Sequence, residues 1–247
     1  MITRSAAPAH GRFFLAYAWP MGITRDDLEN DRVRAALAGT PGGAVLLTEE
    51  AFEASLAATL ADAPDGDAWL FGYGSLIWNP MIRYAERRPA VIYGFHRGFY
   101  LYSRVNRGTY ENPGLVLGLD RGGCCRGIAF RIAREDLAEE FRVLWRREML
   151  TGAYLPRWAP VQSEGQRFSA LTFIMNRTHE GYAGRLPDTV IVDRLRNASG
   201  AYGPAYEYLY RTLLGLRQHG IDDPYLARLW EPFERDPRYQ AEFAGAA

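Results

Sequence analysis

Trp69-Leu70-Phe71-Gly72-Tyr73-Gly74-Ser75-Leu76 is the stretch from which the fold can be read. Residues 69–73 are apolar and aromatic and read as a short buried strand, which leaves through a Gly-Ser turn. Upstream, Pro64-Asp65-Gly66 breaks the chain, and Thr48 is placed to cap a helix running to about Leu60, with Glu49 and Glu50 at its positive end. Gly39-Thr40-Pro41-Gly42-Gly43 marks a linker. Residues 1–45 then form an extension with no assigned role, 46–66 an amphipathic helix and linker, 67–235 the compact domain and 236–247 a tail. Downstream, 90–95, 115–119, 125–131 and 168–175 are rich in β-branched, leucine or aromatic residues and read as strands. Asp120-Arg121-Gly122-Gly123 reads as a hairpin turn between two of them. Helices are expected over 188–197, 203–218 and 223–230, with Gly220 stopping the middle one. One helix lies among the strands and the others follow, which predicts an α+β domain with a largely antiparallel or mixed sheet able to close into a barrel.

The 247 residues suffice for one large domain, and 48% apolar with 23% charged residues is ordinary for a globular chain. All 29 basic residues are arginine, balanced by 29 acids. Without lysine there is no Schiff-base or pyridoxal-type chemistry and no Walker A loop. His10, His96, His179 and His219 are scattered, and Cys124 and Cys125 are adjacent, so neither a zinc site nor a disulfide framework is legible. Balanced charge argues against a nucleic-acid partner. No apolar run approaches the ~20 residues of a membrane helix. The first 25 residues carry Arg4, Arg12 and Arg25 and no acid, but the apolar run Phe13 to Trp19 is short and ends at Pro20, so no secretory signal is expected. Vicinal free thiols fit a cytoplasmic setting. An acid–base group, if present, is a carboxylate or a lone histidine.

Residues 135–149, Glu-Asp-Leu-Ala-Glu-Glu-Phe-Arg-Val-Leu-Trp-Arg-Arg-Glu-Met, predict an amphipathic helix with Leu137, Phe141, Leu144 and Trp145 on one stripe. Glu148 is eleven residues beyond Leu137, and eleven steps of about 100° return to within about 20° of the start. A carboxylate on the apolar stripe at the negative end of a helix has its ionised form disfavoured twice, as a general acid/base requires. The other reading pairs Glu148 with an arginine such as Arg157, or lets it reach solvent as the helix frays. Glu139 falls on the opposite face and reads as solvated. In the Gly-Ser turn, the amides around Gly74, Ser75 and Leu76 and the Ser75 hydroxyl can converge on an anion. Ile77 breaks the Gly-x-Ser-x-Gly nucleophile elbow, and no base accompanies Ser75, so serine hydrolysis is excluded.

These two places carry a resemblance. Phe71-Gly72-Tyr73-Gly74-Ser75-Leu76-Ile77-Trp78-Asn79-Pro80 is followed in order by Arg107-Gly108-Thr109 with Pro113-Gly114, by Gly127-Ile128-Ala129-Phe130-Arg131 and by Trp145-Arg146-Arg147-Glu148-Met149. Thr151-Gly152-Ala153-Tyr154-Leu155-Pro156 comes next, then Ala198-Ser199-Gly200 through Gly203 to Glu207-Tyr208-Leu209. Over about 69–230 the chain resembles the ChaC-like γ-glutamylcyclotransferases, which degrade glutathione. The resemblance implies a γ-glutamylcyclotransferase-like mixed or antiparallel β-barrel with flanking helices. It implies a lyase whose substrate cyclises on itself: the α-amine of glutathione attacks its own γ-amide, giving 5-oxoproline and Cys-Gly, without cofactor or metal. It further implies Glu148 as the acid/base, Tyr73, Gly74, Ser75 and Leu76 as the hold on the γ-glutamyl head, and Tyr208 as a residue closing the site. Ala205 departs from the pattern, standing where the family commonly has asparagine. That motivates a second reading, a cyclotransferase for other γ-glutamyl amines; a third is a non-catalytic γ-glutamyl-binding regulatory protein.

Elsewhere His96 reads as structural or surface, His179 and His219 as exposed, and Cys124 and Cys125 as buried inert thiols. Arg104 and Arg107 are open between a substrate carboxylate and a surface ion pair. Trp78 and Trp158 could wall a pocket, with core packing the safer reading. The sequence carries no signal of oligomeric state.

Overall fold

A computed structural model describes residues 23–40 and 46–239. The stretch examined for a secretory signal, most of the linker glycines and the end of the tail lie outside the described residues. Five strands carry the fold: β1 (Ala68–Gly72), β2 (Glu86–Ser103), β3 (Gly114–Ile132), β4 (Tyr154–Ser163) and β5 (Gln166–Met175). They close into a barrel in the order β1-β3-β2-β4-β5. β1 and β3 meet β5 in parallel, and the remaining neighbours are antiparallel. The α+β class and the mixed barrel expected from the sequence are therefore present.

Two strand readings need correction. Residues 115–119 and 125–131 belong to one continuous strand, and Asp120–Gly123 is not a hairpin turn. Gly122 and Gly123, both at positive φ, lie opposite the single Gly94, also at positive φ, where the β2–β3 register shifts between Tyr93 and Phe95. An extra residue on one strand is a β-bulge, and left-handed glycines allow the sharp local twist a small barrel needs. β4 was not anticipated because Pro156 and Pro160 lie inside it, and proline within a run argues against a strand. It is tolerated here because β4 is continuously paired to β5, while β2 meets its other edge only at Val91 and Ile92.

The helices expected from the sequence are present, and two short ones lie in the 1–45 extension, where none was expected. Before the barrel lie α1 (Arg25–Glu29), α2 (Arg32–Ala38) and α3 (Glu49–Ala61). The Thr48 side chain accepts from the Ala51 amide at the start of α3, and the helix buries Phe52, Leu56 and Thr59. Helix α4 (Leu137–Glu148) joins β3 to β4, and its stripe Leu137, Phe141, Leu144 and Trp145 is buried. After the barrel come α5 (Asp188–Asn197), α6 (Ala205–Arg217) and α7 (Pro224–Glu234). Gly220 ends α6 as expected: its amide bonds to Arg217 O at 2.9 Å and the Ile221 amide to Leu216 O at 3.0 Å, with Gly220 at φ 68°. No described helix is long and apolar enough to cross a membrane.

Candidate active site

At the end of β1 the chain passes Tyr73 and Gly74 into a single 3-10 turn, Ser75–Ile77. Gly74 has φ −132° and ψ −128°. A Cβ on it would lie 2.8 Å from the Tyr208 hydroxyl, so the absence of a side chain lets that tyrosine reach the turn. The start of a helical turn leaves its first amides without intrahelical acceptors, here those of Ser75 and Leu76. Tyr208, on α6, receives the Leu117 amide on its hydroxyl at 3.4 Å. Tyr73 donates to Phe173 O at 2.8 Å, and Tyr154 donates to Leu117 O at 2.9 Å. Burial pushes all three phenols up, Tyr208 to about 12, so they stay protonated donors.

Glu148 ends α4 on the buried stripe, and its side chain is 14% exposed. Its partner is Arg147, whose Nε lies 3.0 Å from the carboxylate, rather than Arg157. Burial raises the Glu148 pKa above the ordinary value, and the Arg147 charge and hydrogen bond oppose that rise without cancelling it. Arg147 also donates to Ser75 Oγ at 2.9 Å and to the Asn79 carbonyl. One guanidinium therefore ties the carboxylate of α4 to the turn after β1.

Ser75, Arg147, Glu148, Tyr154 and Tyr208 line a cavity of about 410 Å³. Its wall also takes Arg104 and Arg107 from the 104–113 connection and Glu207 and Arg211 from α6. That connection is held down by the two-stranded hairpin Ser199–Gly200 with Gly203–Pro204. The Ala201 amide bonds to Val105 O at 2.8 Å and the Tyr202 amide to Asn106 O at 2.9 Å. A Cβ on Gly200 would lie 2.4 Å from Val105 O, so the two backbones touch. Arg107 is buried, 2.7 Å from Glu207 Oε2 and 3.1 Å from Pro204 O. Arg104 pairs with Glu180 at the cavity rim. A concave site with one inward carboxylate of raised pKa, buried hydroxyl donors and several arginines suits proton transfer on an anionic substrate.

The ChaC-like protein model matches residues 68–235. This chain belongs to the ChaC-like family. Among the relatives of this ChaC-like protein is the glutathione-specific gamma-glutamylcyclotransferase of Escherichia coli (strain K12). It is 39% identical over 208 residues, covering 81% of this chain and 90% of that one. Glutathione-specific gamma-glutamylcyclotransferase 1 of Homo sapiens is 32% identical over 155 residues, 60% of this chain and 70% of that one. A crystal structure of a gamma-glutamyl cyclotransferase specific to glutathione from yeast shares the fold, with TM-score 0.62 and 24% identity over 68% of this chain and 95% of that one.

Of the residues singled out from sequence, Ser75, Glu148 and Tyr208 face the cavity of this ChaC-like protein. Tyr73, Gly74 and Leu76 do not line it, and all three are buried. Trp78 faces the cavity, whereas Trp158 packs on Phe141 and donates to Thr59 O at 3.1 Å. His179 is half-buried and lines the cavity rather than being exposed, and His219 is half-buried too. His96 is structural, its ring nitrogens 3.0 Å from Gly122 O and 2.6 Å from the Tyr100 hydroxyl. Cys124 is exposed; Cys125 alone is buried, which pushes its thiol up to about 11. Arg147 and Tyr154 escaped the sequence reading although both lie in quoted motifs. Their signal was position only: one precedes Glu148, and the other opens a strand hidden by its prolines.

Proposed function

We propose that this protein cleaves glutathione to 5-oxoproline and Cys-Gly, with Glu148 as general acid/base. The observation that carries the reading is the Glu148 carboxylate, largely withdrawn from solvent, raised in pKa and facing the cavity beside the Ser75 turn. The γ-glutamyl α-carboxylate sits at that turn, taken by its leading amides and the Ser75 hydroxyl. Glu148 removes a proton from the α-ammonium. The freed amine attacks the γ-carbonyl, forming the ring C–N bond, and the γ-amide C–N bond breaks. In all, the α-nitrogen loses two protons and the leaving nitrogen gains two, so one carboxyl that alternately takes and gives protons serves both ends. The nucleophile is part of the substrate, so effective molarity lowers the barrier without a covalent enzyme intermediate. Tyr208, set at the turn through Gly74, closes the site over the γ-glutamyl head, while Tyr73, Gly74 and Leu76 shape the turn. A cytoplasmic setting, where glutathione is abundant and thiols stay reduced, suits this role.

Ala205 gives no support to the reading with other γ-glutamyl amines: it is fully buried, its amide bonds to Ala198 O at 2.9 Å, and it does not line the cavity. The test is to incubate the protein with glutathione and follow 5-oxoproline and Cys-Gly. Glu148→Gln is expected to lower kcat by about 10²-fold or more. Its melting temperature at neutral pH should equal or exceed the parent's. A carboxyl whose folded pKa is raised loses stability as pH climbs from its unfolded value through the folded one, and glutamine escapes that loss. Full turnover by a folded Glu148→Gln chain overturns the mechanism.

A further inference from the structure

Segment 23–38 precedes the 68–235 stretch matched by the family model, yet Ile23, Val33 and Leu37 line the same cavity as Glu148. It is not loosely attached. Arg25 forms a two-pronged pair with Glu140 of α4, Nη1 to Oε2 at 2.6 Å and Nη2 to Oε1 at 2.9 Å. Glu140 is completely buried and also accepts the Arg83 amide at 2.9 Å. Arg25 further donates to Met81 O at 3.3 Å, and Met81, at φ 55°, is itself a cavity residue. Arg146 donates to Glu29 O at 2.9 Å, and Thr24 and Asp27 close a capping box at the start of α1. A planar fork on a buried carboxylate fixes orientation as well as position.

We infer that segment 23–38, pinned through Arg25 and Glu140, is the specificity wall of the cavity. On this view Ile23, Val33 and Leu37 pack against the cysteine side chain of the substrate; the inference rests on the functional reading above. The three side chains have no hydrogen-bonding group, so they cannot recognise the carboxylates or amides of a γ-glutamyl peptide. The γ-glutamyl methylenes go with the head held at the Ser75 turn, and the glycine CH₂ lies between an amide and a carboxylate, so the apolar group left for the wall is the cysteine CH₂–SH. An aliphatic wall favours that group over one carrying a hydroxyl, whose hydrogen bonds with water would be lost on binding. The wall thus selects the residue after γ-glutamate, while the Ser75 turn and Glu148 act on γ-glutamate itself.

The test compares two glutathione analogues, with 2-aminobutyrate or serine in place of cysteine. The parent is expected to favour the 2-aminobutyrate analogue by about tenfold in kcat/KM, the scale for one small group in an apolar pocket. Val33→Thr and Leu37→Asn should shrink that ratio several-fold and raise KM for glutathione while kcat moves little. Arg25→Ala should raise KM and speed amide hydrogen exchange in 24–38. Circular dichroism must show that each variant is folded. No preference in the parent, or a ratio and KM unchanged in folded Val33→Thr and Leu37→Asn, overturns the wall and leaves the functional reading standing. If the parent does not turn over glutathione, the functional reading fails. Calorimetry on Glu148→Gln then decides the wall: glutathione binding weakened by Leu37→Asn supports it, while equal binding or none overturns it.

Discussion

Glu148 and Arg147 are neighbours in the chain, and the chemistry depends on how they share one buried corner. Burial raises the glutamate pKa and the guanidinium, 3.0 Å away, limits the rise. The acid limb of the kcat/KM profile is therefore expected above the ordinary glutamate value, because the base must be ionised to take its proton. Arg147→Gln removes the opposing charge, and an opposite charge at this range is worth about 1–3 pKa units. The limb should move alkaline by about that amount, with activity below it falling about tenfold per unit. A pH–rate profile that keeps its limb in a folded Arg147→Gln chain would show that Arg147 has no hold on Glu148. The position of Glu148 on the stripe was legible from 3.6-residue periodicity alone. Arg147 was not: helix geometry places its Cα a step away, and only its long side chain brings the guanidinium back to the carboxylate and across to Ser75.

At the scale of elements, helix α7 is tied to the site through a buried ion pair. Asp223 caps α7 by accepting the Leu226 amide at 2.9 Å, and it also takes the Arg97 guanidinium. Arg97 donates to Tyr73 O at 2.7 Å, so the cap of a helix holds the residue that leads into the Gly-Ser turn. Asp223→Ala loses the cap and leaves a guanidinium side chain only 2% exposed without its anion. The expected loss is about 3 kcal/mol, measured by denaturant unfolding. Asn at this position should restore the cap but not the charge and recover only part of that loss. The helix boundaries were readable because caps, stripes and the Gly220 stop are local. Asp120–Gly123 reads as a turn from sequence, although it is one side of a bulge facing Gly94, because glycines at positive φ serve both purposes. Which purpose holds depends on the facing strand, which lies about 30 residues away in sequence.

Over the whole molecule, 29 arginines balance 29 acids, and many of the described arginines, among them Arg32, Arg83, Arg131 and Arg142, sit in ion pairs. Asp27 and Asp120 are buried, which opposes ionisation, yet hydrogen bonds from Thr24 and Arg32, and from Arg177 and Tyr182, carry both carboxyls below their ordinary value. Asp67 and Glu139 are held down by Arg131 and Arg83, and Asp236 falls to about 2 beside Arg238. A depressed folded pKa contributes stability above the unfolded value that is lost as pH falls through the folded one. The denaturant midpoint is therefore expected to be lower at pH 3 than at pH 7; equal midpoints would show that these pairs contribute nothing. Periodicity, caps and the apolar run into the Gly-Ser turn determined by themselves the α+β class, most helices and the carboxylate turned inward, since each is a property of residues within a few turns of one another. Tertiary structure alone decided the parallel closure of β1 and β3 on β5, the acceptance of two prolines in β4 and the reach of Arg147 to Ser75. It alone brought residues 23–38 to the cavity wall. Each of these depends on which distant surface covers a residue, and local sequence does not encode that.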